Sequence, residues 1–231
     1  MSSPPPILLD CDPGIDDAIA ILIAAHHGDL VGITTVNGNV GIEHTTHNAL
    51  VTTQIAGLDV PVHRGADRPL VEPVVDAARI HGPTGLGSVV LPALEVDVVS
   101  DDAVGFICDT ARQVDGLHLV AVGPLTNIAL ALRHDPELPE HISGLTIMGG
   151  TAGTGNETAT AEFNIWADPE AAAAVFRDAA PVTMVGLDVT RQIICGDDEA
   201  ERIRAAGTTT STFAAELLEF YIASKDRKSV V

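Results

Sequence analysis

Ile7-Leu8-Leu9-Asp10-Cys11-Asp12-Pro13-Gly14-Ile15-Asp16-Asp17-Ala18 places four acidic residues within eight positions, directly after one short apolar run and directly before another. An apolar run that stops at Asp-x-Asp reads as a buried strand. Pro13-Gly14 then turns the chain, and Asp16 and Asp17 open a helix expected over residues 18–25. Residues two apart on a strand face the same way, so Asp10 and Asp12 converge with the acids at the helix start. Carboxylates crowded in this way repel one another by about 3 kcal/mol per close pair at an effective dielectric of about 20. A hard divalent metal, a Lys or Arg, or protons must offset that, and the segment holds no basic residue. Oxygen ligands suit calcium or magnesium better than zinc. Capping and the helix dipole account for Asp16 and Asp17 without a metal, but not for Asp10 and Asp12.

Outward from this stretch, short apolar runs recur at 31–36, 117–122, 145–148 and 182–187. Between them lie alanine-rich stretches with helical spacing at 47–56, 103–113, 127–133 and 169–177. This βαβα order predicts an α/β, Rossmann-like fold: a mainly parallel sheet with helices on both faces and a ligand site at the carboxyl ends of the strands. Asp10/Asp12, Asn37/Asn39 and Thr126/Asn127 all fall at such ends. Two Gly-rich loops, 82–87 and 149–155, read as mobile or ligand-facing.

The chain has 231 residues, with 12 Lys plus Arg against 32 Asp plus Glu and a formal charge of −20. That balance excludes nucleic-acid backbones and anionic membrane surfaces as partners and points to small molecules. The two lysines, Lys225 and Lys228, stand at the very end. Cys11, Cys108 and Cys195 are odd in number and widely spaced, as expected of reduced thiols packed in a core. Met1–Pro6 carries neither basic residues nor an apolar segment, and 19–25 is too short to span a bilayer, so a cytoplasmic protein is expected. Trp166, the single tryptophan, is expected to pack in the core.

Several motifs agree in order with the acidic cluster: Gly38-Asn39, His81-Gly82 with Gly85-Leu86-Gly87, Val122-Gly123-Pro124-Leu125-Thr126-Asn127, Met148-Gly149-Gly150, and Glu162-Phe163-Asn164-Ile165-Trp166-Ala167-Asp168-Pro169-Glu170-Ala171. Together they resemble the nucleoside hydrolases, the inosine/uridine-preferring N-ribohydrolases. The resemblance implies hydrolysis of the N-glycosidic bond of ribonucleosides to ribose and free base. It implies a calcium ion held by Asp12, Asp17 and the backbone carbonyl of Thr126, with Asp10 supporting the site from behind and Asp12 also activating the attacking water. Asp16 and Asn39 match positions that hold the ribose 2′ and 3′ hydroxyls. Asn156, Glu162 and Asn164 match those around the 5′ and 3′ side of the sugar, and Met148 lines the same pocket. His81 matches a histidine near the leaving base. A homo-oligomer, dimer or tetramer, is also implied.

Family chains continue past the helix ending near Phe220-Tyr221-Ile222 to a His-Asp pair that residues 225–231 do not contain. The expectation is a single domain over 1–231, C-terminally incomplete relative to the family, with a truncated and catalytically inactive hydrolase fold as the alternative. A remote alternative is a haloacid dehalogenase-type phosphatase, which also opens with Asp-x-Asp after a strand. It would use Asp10 as nucleophile and place Thr or Val where Gly14 stands.

Overall fold

A computed structural model of the chain describes residues 4–179 and 181–226; Met1–Ser3, Lys228 and the rest of the tail lie outside the described residues. In chain order the elements are β1 Pro6–Cys11, α1 Ile15–His27, β2 Asp29–Thr35, α2 Ile42–Ala56, β3 Val62–Arg64, α3 Ala78–His81, α4 Ala103–Gln113, β4 His118–Ala121 and α5 Thr126–His134. They continue with α6 Leu138–His141, β5 Gly144–Met148, α7 Phe163–Ala167, α8 Pro169–Asp178, β6 Val182–Val185, α9 Leu187–Thr190, α10 Asp197–Arg204 and α11 Thr209–Asp226.

The strands form one six-stranded sheet in the order β3-β2-β1-β4-β5-β6, with every pairing parallel. Its two faces are covered separately, and adjacent residues show it. Leu8 packs with Ile107, Leu119, Ile128 and Leu145, whereas Leu9 packs with Ile21, Ile33, Leu50 and Val62 on the other side. Burial on both faces is why these strands read as unbroken apolar runs. Each such leucine contributes about 1.5–3 kcal/mol when removed from water. A third cluster joins Ile15, Ala18 and Val51 to Leu86 of the loop after α3 and to Phe213 and Leu217 of α11.

The strand order decides where a ligand can sit. From β1 the chain builds outward through β2 to β3, then returns to lay β4 against the other edge of β1. The two halves diverge at the carboxyl ends of β1 and β4, leaving a crevice there. Asp10 lies near the end of β1 and Asp12 directly follows it, and 122–126 leaves β4 beside them, with the Val122 N–H donating to the Asp10 carbonyl at 2.8 Å.

Several expectations need correction. Helix α1 starts at Ile15, so Asp16 and Asp17 lie within its first turn. β3 and α10 were not legible: Val62-His63-Arg64 is too short and polar to show a period, and α10 is almost wholly charged. Cys11 and Cys108 are buried, but Cys195 is exposed. Trp166 is 38% exposed and tilts against the Phe163 ring at the surface. Among the described residues no helix is long and apolar enough to cross a membrane.

Gly32 on β2 shows how tightly α4 seats, since a Cβ there would collide with the Phe106 ring. Gly32→Ala is expected to lower stability by about 1–3 kcal/mol, with Phe106→Leu in the same chain recovering most of the loss; urea denaturation of the two variants checks both.

Candidate active site

β1 delivers Asp10 into the sheet itself, fully buried. Its Oδ1 accepts from the Thr34 hydroxyl at 2.6 Å and the Asn127 amide at 2.7 Å, while Oδ2 has no partner among the described residues. Burial pushes this carboxyl up to about 7, the two hydrogen bonds opposing the rise. Asn127 is equally buried. Besides Asp10, its amide donates to the Thr35 carbonyl at 2.9 Å, and its Oδ1 accepts from the Ala66 N–H at 2.9 Å. One side chain from α5 thus ties β1, β2 and the segment after β3.

Two residues on, Asp12 is 1% exposed. Its Oδ2 accepts from the Asn39 N–H at 2.6 Å, and Oδ1 is buried without a partner among the described residues. Glycines make the room for it. A Cβ at Gly38 would collide with Oδ2, and one at Gly123 would lie 2.6 Å from Oδ1. Asp17 comes up from the first turn of α1. Its Oδ2 accepts from the Gly14 N–H at 3.2 Å and the Asn39 amide at 2.8 Å, and its Oδ1 faces the Asp12 N–H at 3.3 Å. The capping role foreseen for Asp17 is therefore real, yet it leaves Asp12 unbalanced. The Asp12 and Asp17 carboxyls are neighbours, each bonded to Asn39. Burial, and then the neighbouring carboxylates, raise both above the ordinary carboxylate range.

Asn39 links the pair: besides the bonds above, its amide reaches the Asp12 carbonyl at 3.1 Å. His81, at the end of α3, is buried, and its Nδ1 accepts from the Ile15 N–H at 3.1 Å. Acceptance at Nδ1 places the ring proton on Nε2. Desolvation holds its pKa below the ordinary histidine value, partly opposed by Asp16, whose Oδ1 lies 3.8 Å from Nδ1 on a largely exposed side chain.

The other wall comes from β5 and the loop and short helix after it. Glu162 is 2% exposed; its Oε2 accepts from the Gly150 and Ile165 N–H groups at 2.9 and 3.2 Å, and burial raises its pKa. The Asn164 amide donates to the carbonyls of Val122 and Met148 at 2.8 and 3.0 Å, stitching the ends of β4 and β5. Thr126 opens α5, and its hydroxyl donates to Asp168 Oδ2 at 2.6 Å. Asn156 is the outlier: its side chain is exposed and, among the described residues, bonds to none of the others.

Asn127 and Asp168 carry structural weight that the motifs alone did not assign. Asp168 is fully buried and caps α8 through the Ala171 N–H at 3.0 Å, while also accepting from Thr126 and the Leu70 N–H. The available signal was an Asp directly before Pro at a helix start.

Hard oxygen donors, Asp12 Oδ1 among them with no partner among the described residues, fit a calcium- or magnesium-like cation. Among the described residues no group of three His, Cys, Asp or Glu side chains converges on one point. Asp12 and Asp17 would therefore be the side-chain ligands, with further oxygens from carbonyls such as that of Thr126.

Comparison with known proteins bears on this arrangement. The family model described as inosine-uridine preferring nucleoside hydrolase matches residues 7–230. The pyrimidine-specific ribonucleoside hydrolase RihB of Escherichia coli K12 is 45% identical over 217 residues, 93% of this chain and 69% of that protein. Among solved structures, a purine-preferring ribonucleoside hydrolase from Gardnerella vaginalis superposes with a TM-score of 0.91 at 36% identity, over 97% of this chain and 74% of that one. The plant nucleoside hydrolase PpNRh1 superposes with a TM-score of 0.88 at 30% identity, over 99% and 74%.

Removing the Asn127 amide leaves the Thr35 carbonyl, the Ala66 N–H and Asp10 short of partners inside the protein. Asn127→Ala should destabilise the chain by about 1–3 kcal/mol for each group left unpaired, read as a drop in the chemical denaturation midpoint.

Proposed function

The chain belongs to the inosine-uridine preferring nucleoside hydrolases, and from that premise we propose that it hydrolyses the N-glycosidic bond of ribonucleosides, pyrimidine nucleosides foremost, with Asp12 as general base and His81 at the leaving base. The observation that carries the assignment of the base is Asp12 Oδ1, a buried carboxylate oxygen that has no partner among the described residues and lies against Gly123. The pyrimidine preference is supported by the 45% identity to RihB.

The cation, calcium in this reading, would be held by Asp12, Asp17 and the Thr126 carbonyl; when bound it offsets the buried carboxylate charge and polarises water and the ribose diol. Asp12 Oδ1 takes the proton of the attacking water, a role that ordinarily contributes about 10²- to 10⁴-fold. Asp10 stays behind the site, held by Thr34 and Asn127, and keeps the end of β1 from shifting. As the bond to the base breaks, positive charge develops on the ribose, and the carboxylates of Asp12, Asp17 and Glu162 stabilise it from fixed positions. Water attacks and the base departs from opposite sides, as in inverting glycosidases. Asp16, Asn39, Asn156, Glu162 and Asn164 take the ribose hydroxyls, with Met148 as an apolar floor; Asn156 must turn inward from its exposed position to join them. His81 presents Nε2–H to the departing base. A dimer or tetramer in the cytoplasm belongs to the same reading.

Ribose release from uridine is expected to exceed that from inosine, and Asp12→Asn should cut it by about 10²-fold or more without loss of the fold by circular dichroism; wild-type-like turnover in this variant would remove Asp12 as the base. Calcium should raise the melting temperature of the wild-type chain, because binding to the folded state alone stabilises it, and chelator should reverse the rise. Asp17→Asn should show little or no such shift.

A further inference from the structure

Asn48 makes no hydrogen bond to the acidic residues among the described residues, yet it lies at the junction of the two segments to which the chemistry is assigned. It sits within α2, fully buried, where an asparagine has poor helix propensity and a polar side chain costs free energy unless bonded. Both hydrogens of its amide nitrogen are used. Nδ2 donates to the Pro13 carbonyl at 2.8 Å and to the Thr84 carbonyl at 2.7 Å. Pro13 follows the proposed base Asp12 directly. Thr84 lies three residues beyond His81.

The fit around this amide is close. Gly85 has φ +94°, and a Cβ there would stand 2.6 Å from Asn48 Nδ2 and 3.1 Å from the Pro13 carbonyl oxygen. Only glycine lets the loop settle onto the asparagine in that conformation. A second tie joins the same segments, since His81 Nδ1 accepts from the Ile15 N–H, and a Cβ on Gly14 would lie 2.6 Å from Nδ1. One tie holds the imidazole and the other holds the loop behind it.

We propose that Asn48 is a positioning residue that fixes the His81 segment against the Asp12–Asp17 turn, so that the imidazole and the carboxylate base keep a constant separation while the glycosidic bond breaks. The inference rests on the reading of His81 as the group at the leaving base. An asparagine supplies two donors from a single nitrogen at this length, whereas serine supplies one and leucine none.

The test compares kcat/KM for uridine with that for p-nitrophenyl β-D-ribofuranoside, whose nitrophenolate departs without needing a proton. The proteins are the wild type, His81→Ala, Asn48→Leu and the double variant, each checked for folding by circular dichroism. The uridine-to-nitrophenyl ratio should fall by about 10²-fold in His81→Ala and substantially in Asn48→Leu, with no further fall in the double variant, as expected of residues acting as one unit. An unchanged ratio in Asn48→Leu, beside a fallen ratio in His81→Ala, overturns the positioning role and leaves His81 in place. An unchanged ratio in His81→Ala overturns the reading of His81 and the inference with it. Should Asn48→Leu not fold, Asn48→Ser, which keeps one donor, enters the same comparison: an intermediate ratio supports the role and a wild-type ratio overturns it.

Discussion

Two carboxyl groups, those of Asp12 and Asp17, are held side by side on Asn39 in a place where water does not solvate them. Burial and mutual repulsion both disfavour the charged form, so the arrangement persists only because the surrounding structure over-determines it. Asn39 grips both groups, the Gly14 N–H caps Asp17, and the parallel sheet anchors the strand from which Asp12 emerges. The core on either side of the sheet supplies the free energy that this site costs. A cation would be the natural counterpart of such a cluster and would supply the positive charge that no Lys or Arg provides beside these two carboxyls among the described residues.

The glycines around the site share one physical purpose. Gly38 and Gly123 lie so close to the Asp12 carboxylate that any side chain would displace it, and Gly14 stands in the same relation to His81. The asparagines are complementary. Asn39, Asn48, Asn127 and Asn164 are buried amides, each donating to backbone carbonyls of the segments at the strand ends, and two of them also to a carboxylate. Neutral donors of this kind bind loops together without adding charge to a site already crowded with it.

Much of this was legible in the chain of letters. The apolar run ending in Asp10-Cys11-Asp12 announced a buried strand and an acidic pocket, because a strand buried on both faces leaves a recognisable unbroken run. β3 was not legible, since three residues carry no period and its place in the sheet comes from pairing with β2. Asn48 gave no signal either: an asparagine in a helix looks like a surface residue until the partners of its amide, 35 and 36 residues away in sequence, are known. Trp166 misled for the opposite reason, as apolar size favours burial but does not assign it.

The sequence by itself determined the class of fold, the acidic cluster and the family, because these depend on local periodicity and on residue types in a fixed order. The tertiary structure alone decided which oxygen of Asp12 is left without a partner among the described residues, which nitrogen of His81 carries the proton, and that Asn48 joins the turn after Asp12 to the loop after His81. Those facts arise from contacts between segments distant in the chain, which packing of the sheet and helices brings together and no local pattern encodes.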